Sequence, residues 1–163
     1  MEPFETEAAL ARWAATDMIA QLRVLPEDKL AWKPSPETKS ALDVANECIA
    51  ACRMMLPVFG GADWERMPFP EHETLEAVST ELLSTVEEYA SALEAAQPGQ
   101  LERRVTFPFG TMDGTRCVTM PLIDLIHHRG QVIYLQSILG DAEPHFDGPA
   151  FAVAMRAELT AGG

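Results

Sequence analysis

Four long segments in which apolar residues recur every three or four positions constrain this chain more than any other feature. That spacing is typical of amphipathic helices, and it predicts helices near residues 5–25, 40–57, 72–96 and 121–139. Residues that end helices separate the segments: Pro26, Gly60 and Gly61, Pro98 and Gly99, and Gly140. The pattern therefore predicts an all-α fold, an antiparallel four-helix bundle whose second and fourth helices are neighbours.

The connections between these helices carry weaker signals. Ser40 is predicted to cap the second helix, with Asp43 three residues later in its first turn. Residues 105–107 and 116–118 flank a turn that contains Gly and Asp. This arrangement predicts an irregular segment or a short hairpin before the last bundle helix.

The chain length of 163 residues fits one domain, 1–163. We expect its helical core to span about residues 4–140, because the four periodic segments end there. The remaining tail, 141–163, is expected to be irregular apart from a short helix over 149–159.

The net charge of −13 excludes several classes of partner. Nucleic acid and anionic membranes both require a basic surface, so neither is expected as a partner. No apolar run approaches the ~20 residues of a membrane span. The first residues are acidic, whereas a secretory signal begins with basic residues, and the chain is therefore expected to be cytoplasmic.

Three cysteines, Cys48, Cys52 and Cys117, form an odd set without a disulfide framework. Cys48 and Cys52 lie four residues apart on the second predicted helix. Buried reduced thiols are the expected interpretation, because a cysteine-rich zinc site would need more ligands nearby.

Ionisable residues interrupt the apolar faces of two predicted helices. Asp124, His128 and Gln131 share one face of the fourth helix, and Glu47 lies within the apolar face of the second. If these faces meet, Glu47, Asp124 and His128 converge and suit a divalent ion such as zinc, nickel, iron or manganese. The alternative is a buried hydrogen-bonded network in which protonated His128 pairs with the carboxylates.

Other polar residues are expected near this site without being ligands. Gln131, Arg129 and Asp17 of the first helix are assigned to contacts with the ligands or with a substrate. For Arg129, pairing with an acid is the alternative role. His127 lies ~100° around the helix from His128 and is therefore not expected to share the site.

Two motifs resemble those of the DinB-like (DNA-damage-inducible) proteins. Residues 30–36 (Leu-Ala-Trp-Lys-Pro-Ser-Pro) with 40–45 (Ser-Ala-Leu-Asp-Val-Ala) are similar to that family's loop and second-helix opening. Residues 127–131 (His-His-Arg-Gly-Gln) resemble the signature of its last bundle helix. The resemblance implies a four-helix bundle, commonly dimeric, that in many members holds a divalent metal with three histidines.

This chain departs from that histidine pattern. The position of the second-helix histidine falls on Glu47, or on Cys48 if the register shifts by one residue. The first histidine of the last-helix pair falls on Asp124, and His128 matches the second. Both kinds of replacement can ligate a metal.

The resemblance also implies two kinds of function. The first is a metal-dependent thiol S-transferase or hydrolase acting on a small molecule, in which the metal activates a bound thiol cosubstrate or water. The alternative is a non-catalytic binding or scaffold protein with a degenerate metal site.

The far sides of the second and fourth helices are apolar as well, and a helix that is apolar all round is covered on both sides. A homodimer is therefore predicted. The alternative is that the hairpin and the tail cover these faces. The fourth-helix face comprises Ile123, Ile126, Gly130 and Ile133, flanked by Tyr134 and Ile138; the second-helix face comprises Ala41, Ala45, Ile49, Cys52 and Leu56.

Overall fold

A computed structural model describes residues 4–143 and 145–156 of the chain. Helices dominate this part, and the sheet within it has two strands. The elements are α1 (Glu5–Val24), α2 (Ala41–Phe59), α3 (Leu75–Ala95), α4 (Pro98–Leu101), β1 (Arg104–Phe107), β2 (Gly110–Asp113), α5 (Gly114–Cys117), α6 (Met120–Ile138) and α7 (Gly148–Ala154), with a 3₁₀ turn at Glu27–Lys29. The predicted all-α bundle is confirmed.

The four long helices α1, α2, α3 and α6 form the bundle. Helix α1 packs against α3 and α6, and α2 packs against the same two helices. The predicted adjacency of the second and fourth long helices, α2 and α6, is therefore confirmed. No helix within 4–143 and 145–156 is long and apolar enough to cross a membrane.

The start of α2 is fixed by the predicted cap. Ser40 Oγ accepts a hydrogen bond from the Asp43 backbone N–H at 3.1 Å, and the Asp43 carboxylate accepts one from the Ser40 N–H at 2.9 Å. Such a reciprocal cap contributes about 1 kcal/mol. Lys33 adds an ion pair with Asp43 at 2.7 Å, which joins the preceding loop to the helix.

A short antiparallel hairpin formed by β1 and β2 docks onto the bundle before α6. Arg103, just before β1, donates to the backbone carbonyls of Val58 and Ala62 near the end of α2. Gly114, just after β2, donates its N–H to the Arg103 carbonyl at 2.8 Å. A Cβ at Gly114 would lie 2.5 Å from the Leu101 carbonyl oxygen, so only glycine fits this contact.

Three predicted boundaries need correction. The second hairpin strand is 110–113 and not 116–118, because Gly114 begins the short helix α5 that buries Cys117. Helix α3 begins at Leu75 because Thr74 caps it, accepting from the Ala77 N–H at 3.2 Å. The tail helix is Gly148–Ala154; the end of the expected span, 157–159, lies outside the described residues.

The two faces predicted to form a dimer differ sharply in exposure. Ile49 is fully buried within the chain, so the predicted interface on the Ile49 side of α2 is wrong. The other face remains open, because Ile123 is 64% and Tyr134 67% exposed, and Ile126 and Ile138 are exposed as well. Within the described residues, neither the hairpin nor the tail covers this side of α6.

Candidate metal centre

His128 lies near the middle of α6 and is 4% exposed. Its Nε2 is 3.3 Å from Oδ1 of Asp124, one turn earlier on α6, and 3.4 Å from Oε2 of Glu47 on α2. The packing of α2 against α6 thus brings together the three residues that the sequence singled out. Their role as metal ligands stays a prediction.

Gln131 orients the His128 ring. Its Oε1 lies 2.6 Å from His128 Nδ1, and its Nε2 lies 3.1 Å from His127 Nε2. Since an amide oxygen can only accept, His128 donates from Nδ1, and Nε2 is the atom that faces the two carboxylates. Gln131 therefore contacts a predicted ligand, as expected from the sequence.

A positive charge at Nε2 is favoured by this arrangement. Burial lowers the pKa of His128, but hydrogen bonds with Asp124 and Gln131 and the nearby negative charges outweigh it, and the net pKa is raised. A neutral ring with Nδ1 protonated would direct an Nε2 lone pair at two carboxylates. The site is therefore suited to a cation at this point, either a proton on Nε2 or a metal ion.

Cys48 completes a compact set of donor atoms. One ligand atom each from Cys48, Asp124 and His128 lies within 4.8 Å of the others. The thiol is fully buried, and burial, followed by the charge of Asp124, raises the pKa of Cys48 well above its ordinary value. Such a thiol ionises only when a cation compensates the charge, which is what a metal supplies.

The sequence pointed to Cys48 only through the one-residue shift of register. All three cysteines are free and buried, as expected. Periodicity alone could not show that the Cys48 sulfur joins Asp124 and His128 while Cys52, one turn later, stays outside the set. The signal that could have found it was the pairing of a helix-buried Cys with a carboxylate and a His on the neighbouring helix.

Glu47 lies at the outer edge of the centre. Its side chain is partly exposed and forms an ion pair with Lys39. It lines two cavities that meet there. One is an open groove of about 830 Å³ between α2 and residues 66–73, lined by charged side chains that include Lys33, Lys39 and Arg66.

The second cavity, of about 210 Å³, is called here the aromatic cavity. It shares Glu47 and Phe69 with the groove, and Asp124 also lines it. The rest of its wall is apolar: Ala51, Met54, Met55, Trp64, Phe107, Phe109, Met120 and Pro121. Glu47, which lines both cavities, and Asp124, which lines the aromatic cavity, therefore connect the donor set to these cavities, whereas Cys48 and His128 line neither of them.

Asp17 and Arg129 are joined to each other between α1 and α6. Arg129 Nε donates to Asp17 Oδ2 at 2.5 Å; the Asp17 side chain is buried and the Arg129 side chain is partly buried. The guanidinium carbon lies 5.1 Å from the Trp13 ring centroid and 5.7 Å from that of Phe146. The alternative role of Arg129, pairing with an acid, is confirmed, and a substrate contact by either residue would require breaking this pair.

The profile of the DinB superfamily matches residues 10–132. A comparison with curated proteins gave no match.

Solved structures resemble the fold. A DinB-like protein from Bacillus subtilis is 14% identical, with a TM-score of 0.65, and the match covers 85% of this chain and 94% of that one. A conserved protein from Enterococcus faecalis is 14% identical, with a TM-score of 0.70 and coverages of 86% and 99%. A DinB-like protein from Bacillus cereus is 20% identical, with a TM-score of 0.61 and coverages of 81% and 89%. At these identities the likeness shows the fold alone.

Proposed function

The chain belongs to the DinB superfamily, and from this premise we propose that it is a metal-dependent enzyme that transfers a small thiol to an electrophilic small molecule. The proposed ligands are Cys48, Asp124 and His128. Glu47, which the sequence suggested as the third ligand, is proposed to stand beside the ion as a proton acceptor, with direct ligation as the alternative. The reaction is proposed to take place in the cytoplasm, where free cysteines stay reduced.

The observation that carries this proposal is the compactness of the donor set. A thiolate, an imidazole and a carboxylate within 4.8 Å of one another are the donors that zinc and similar first-row ions take. Three protein ligands leave a position of a tetrahedral ion free for a substrate, which is typical of catalytic and not of structural sites. The residues present therefore fit a divalent ion.

A bound ion would lower the pKa of the thiol or water that takes the open position. The chain's own groups supply the rest. The Glu47 carboxylate holds the proton that the thiol releases, the thiol sulfur bonds to the electrophilic carbon, and the leaving group departs with the bonding electron pair and that proton. Gln131 keeps the His128 ring in place, and the apolar wall of the aromatic cavity excludes water from the reacting carbon.

The charged groove and the aromatic cavity both include Glu47 in their lining, and this supports a reaction between two substrates, one in each cavity. The charged groove, with Lys33, Lys39 and Arg66 in its lining, suits a polar thiol, whereas the aromatic cavity suits an apolar electrophile. Hydrolysis is the second candidate, because Glu47 is equally placed to take a proton from water. A hydrolase would need only the groove or only the aromatic cavity for its organic substrate.

A non-catalytic binding or scaffold role is the third candidate. It is supported by the pairing of His128 with Asp124 and Glu47, which satisfies these groups without a metal when the ring is protonated. Metal content separates this role from the two enzymatic ones.

The test is metal analysis by mass spectrometry of protein purified without a chelating tag. We expect ~1 divalent ion per chain, lost in His128→Ala and Cys48→Ala. Cys52→Ala is the matched control, because Cys52 is equally buried one turn along α2 but outside the donor set. Equal metal contents in Cys48→Ala and the parent protein would refute the assigned ligands, and a metal-free parent protein would favour the scaffold role.

The second part of the test is activity. The metal-loaded protein should consume a small thiol in the presence of an organic halide, and Glu47→Gln should lower the rate while retaining metal. Loss of metal in Glu47→Gln would instead make Glu47 a ligand. Substrate turnover without any thiol would favour hydrolysis.

A further inference from the structure

We propose that the aromatic cavity binds an uncharged aromatic group of the substrate, about the size of two fused rings. This inference rests on the proposed function, because it describes the substrate of that same site. It goes beyond that function by assigning a substrate class to Trp64, Phe69, Phe107 and Phe109.

The four aromatic side chains come from two separate parts of the chain. Trp64 and Phe69 belong to the segment between α2 and α3, and Phe107 and Phe109 belong to the hairpin. The Phe107 and Phe109 rings are stacked with centroids 5.2 Å apart and an angle of 16° between their planes. Trp64 lies 5.5 Å from Phe107. Such faces favour contact with another flat ring.

Two of these rings are exposed although they have apolar neighbours. Phe69 is 45% and Phe109 69% exposed, and both line the cavity. Phe109 occupies the two-residue turn between β1 and β2, where polar residues are usual. Its stacking on Phe107 leaves most of the Phe109 side chain exposed, and exposed apolar side chains at a concave surface are typical of ligand sites.

The size and charge of the cavity limit the ligand. An apolar cavity of ~150 Å³ holds benzene, so about 210 Å³ accommodates a larger ring system. Met54, Met55 and Met120 add flexible apolar walls that adapt to its outline. The charged groups of the lining are the carboxylates of Glu47 and Asp124, which repel an anionic ring and lie where the reacting atom would meet the donor set.

The test uses 1-naphthol and 1-naphthoate as a neutral and an anionic probe of the same size. Isothermal titration calorimetry on the full chain, with metal content measured on the same sample, should give a Kd below ~1 mM for 1-naphthol. In protein freed of metal by a chelator, binding of 1-naphthoate should be weaker than that of 1-naphthol by at least about tenfold, because its charge would be buried beside two carboxylates with no ion to ligate it.

Three variants locate the binding. Ala51→Phe places a ring in the cavity and should weaken 1-naphthol binding by about tenfold or more. Phe109→Ala should weaken it by ~3-fold to tenfold and tests the claim even if Ala51→Phe fails to fold, since Phe109 is exposed on a turn. Phe146→Ala is the matched control, because Phe146 is similarly exposed but packs on Trp13, and binding should not change.

Failure of 1-naphthol to bind, equal affinity for both probes in metal-free protein, or unchanged binding in Phe109→Ala would overturn this inference. If metal is retained in that case, the proposed function stands without it. Tight and cavity-dependent 1-naphthol binding to a protein that takes up no metal would support the aromatic cavity and refute the metal-dependent function.

Discussion

Oε1 of Gln131 lies 2.6 Å from Nδ1 of His128, and this contact decides which ring nitrogen faces Asp124 and Glu47. Gln131→Met removes the acceptor while keeping the length of the side chain. Because partners that orient a ligand tune its affinity, we expect metal affinity to fall by about 10- to 100-fold. Competition with a fluorescent chelator measures this change.

Gln131→Glu is the control for that prediction, since a carboxylate oxygen still accepts from Nδ1. Gln131→Glu should therefore retain most of the metal affinity of the parent protein. Equal affinities in Gln131→Met and the parent protein would show that the ring is held in place by its packing alone.

Arg129 and Asp17 are expected to act on stability and not on metal binding. Arg129→Met leaves the buried Asp17 carboxylate with the Gln21 side-chain amide as its remaining partner, and because the pair is part-buried the loss should be about 3 kcal/mol, the lower end for buried pairs. Urea denaturation measures the loss, and metal content should stay unchanged. Arg12→Met, which breaks the exposed pairs with Glu87 and Glu94, should cost less than ~1 kcal/mol per pair.

A fall in metal content in Arg129→Met, measured on folded protein, would contradict that separation. Such a result would instead support a contact of Arg129 with the metal site or with a substrate, which is the other role expected from the sequence.

Asp43 gives the stability of α2 a dependence on pH. Burial raises the pKa of its carboxyl, but hydrogen bonds from Lys33 and Ser40 outweigh it, and the net pKa is lowered. A lowered pKa in the folded state stabilises the protein above the unfolded value of ~4, and this contribution is lost as the pH falls through the folded value. Asp43→Asn should therefore be less stable than the parent protein at pH ~7 and ~5, by less than ~1 kcal/mol, and the difference should shrink below pH ~4.

Urea denaturation at three pH values tests this prediction. Glu102→Gln, an exposed carboxylate outside the capping box, is the control and should show no such trend. A difference for Asp43→Asn that grows on acidification would have the wrong sign and would contradict the interpretation.

The exposed face of α6 is predicted to join two copies of the chain. Burying Ile123, Ile126 and Tyr134 against the same residues of a second copy would cover side chains that the chain leaves open. Light scattering at micromolar concentration should give the mass of a dimer. Ile126→Glu should give a monomer, whereas Val153→Glu, an equally apolar exposed position on α7, should remain dimeric.

A monomeric mass for the parent protein would refute the dimer. So would an Ile133→Glu variant that keeps both the dimeric mass and the melting temperature, because Ile133 belongs to the same face.

Local signals in the sequence were sufficient to predict the four-helix bundle. The periodicity that predicts α1, α2, α3 and α6 lies within each helix, and the cap formed by Ser40 and Asp43 lies within four residues. The convergence of Glu47, Asp124 and His128 was predicted on the condition that two apolar faces meet, and the packing of α2 against α6 fulfils it. The helices and the cap could be predicted because each depends on spacing along one segment of the chain.

The remaining features depend on contacts between distant parts of the chain. Whether Glu47 or Cys48 faces His128 is set by the rotation of α2, since adjacent residues differ by ~100° around a helix. The second hairpin strand was misplaced because the Gly- and Asp-containing stretch was taken as the turn, whereas the turn is Pro108 and Phe109 and the strand runs from Gly110 to Asp113. The aromatic cavity could not be predicted, because Trp64 and Phe109 come to line the same cavity only in the folded chain.

The close approach of Gly114 to the Leu101 carbonyl divides the hairpin into positions that tolerate substitution and one position that does not. The base of the hairpin tolerates no side chain at position 114, whereas its two-residue turn, Pro108 and Phe109, is exposed. Substitutions in the turn can therefore reshape the mouth of the aromatic cavity without disturbing the bundle that holds His128. During divergence, or in a directed-evolution library built on this scaffold, we expect the ligand preference proposed for the aromatic cavity to change at Phe109 while the four-helix bundle is retained.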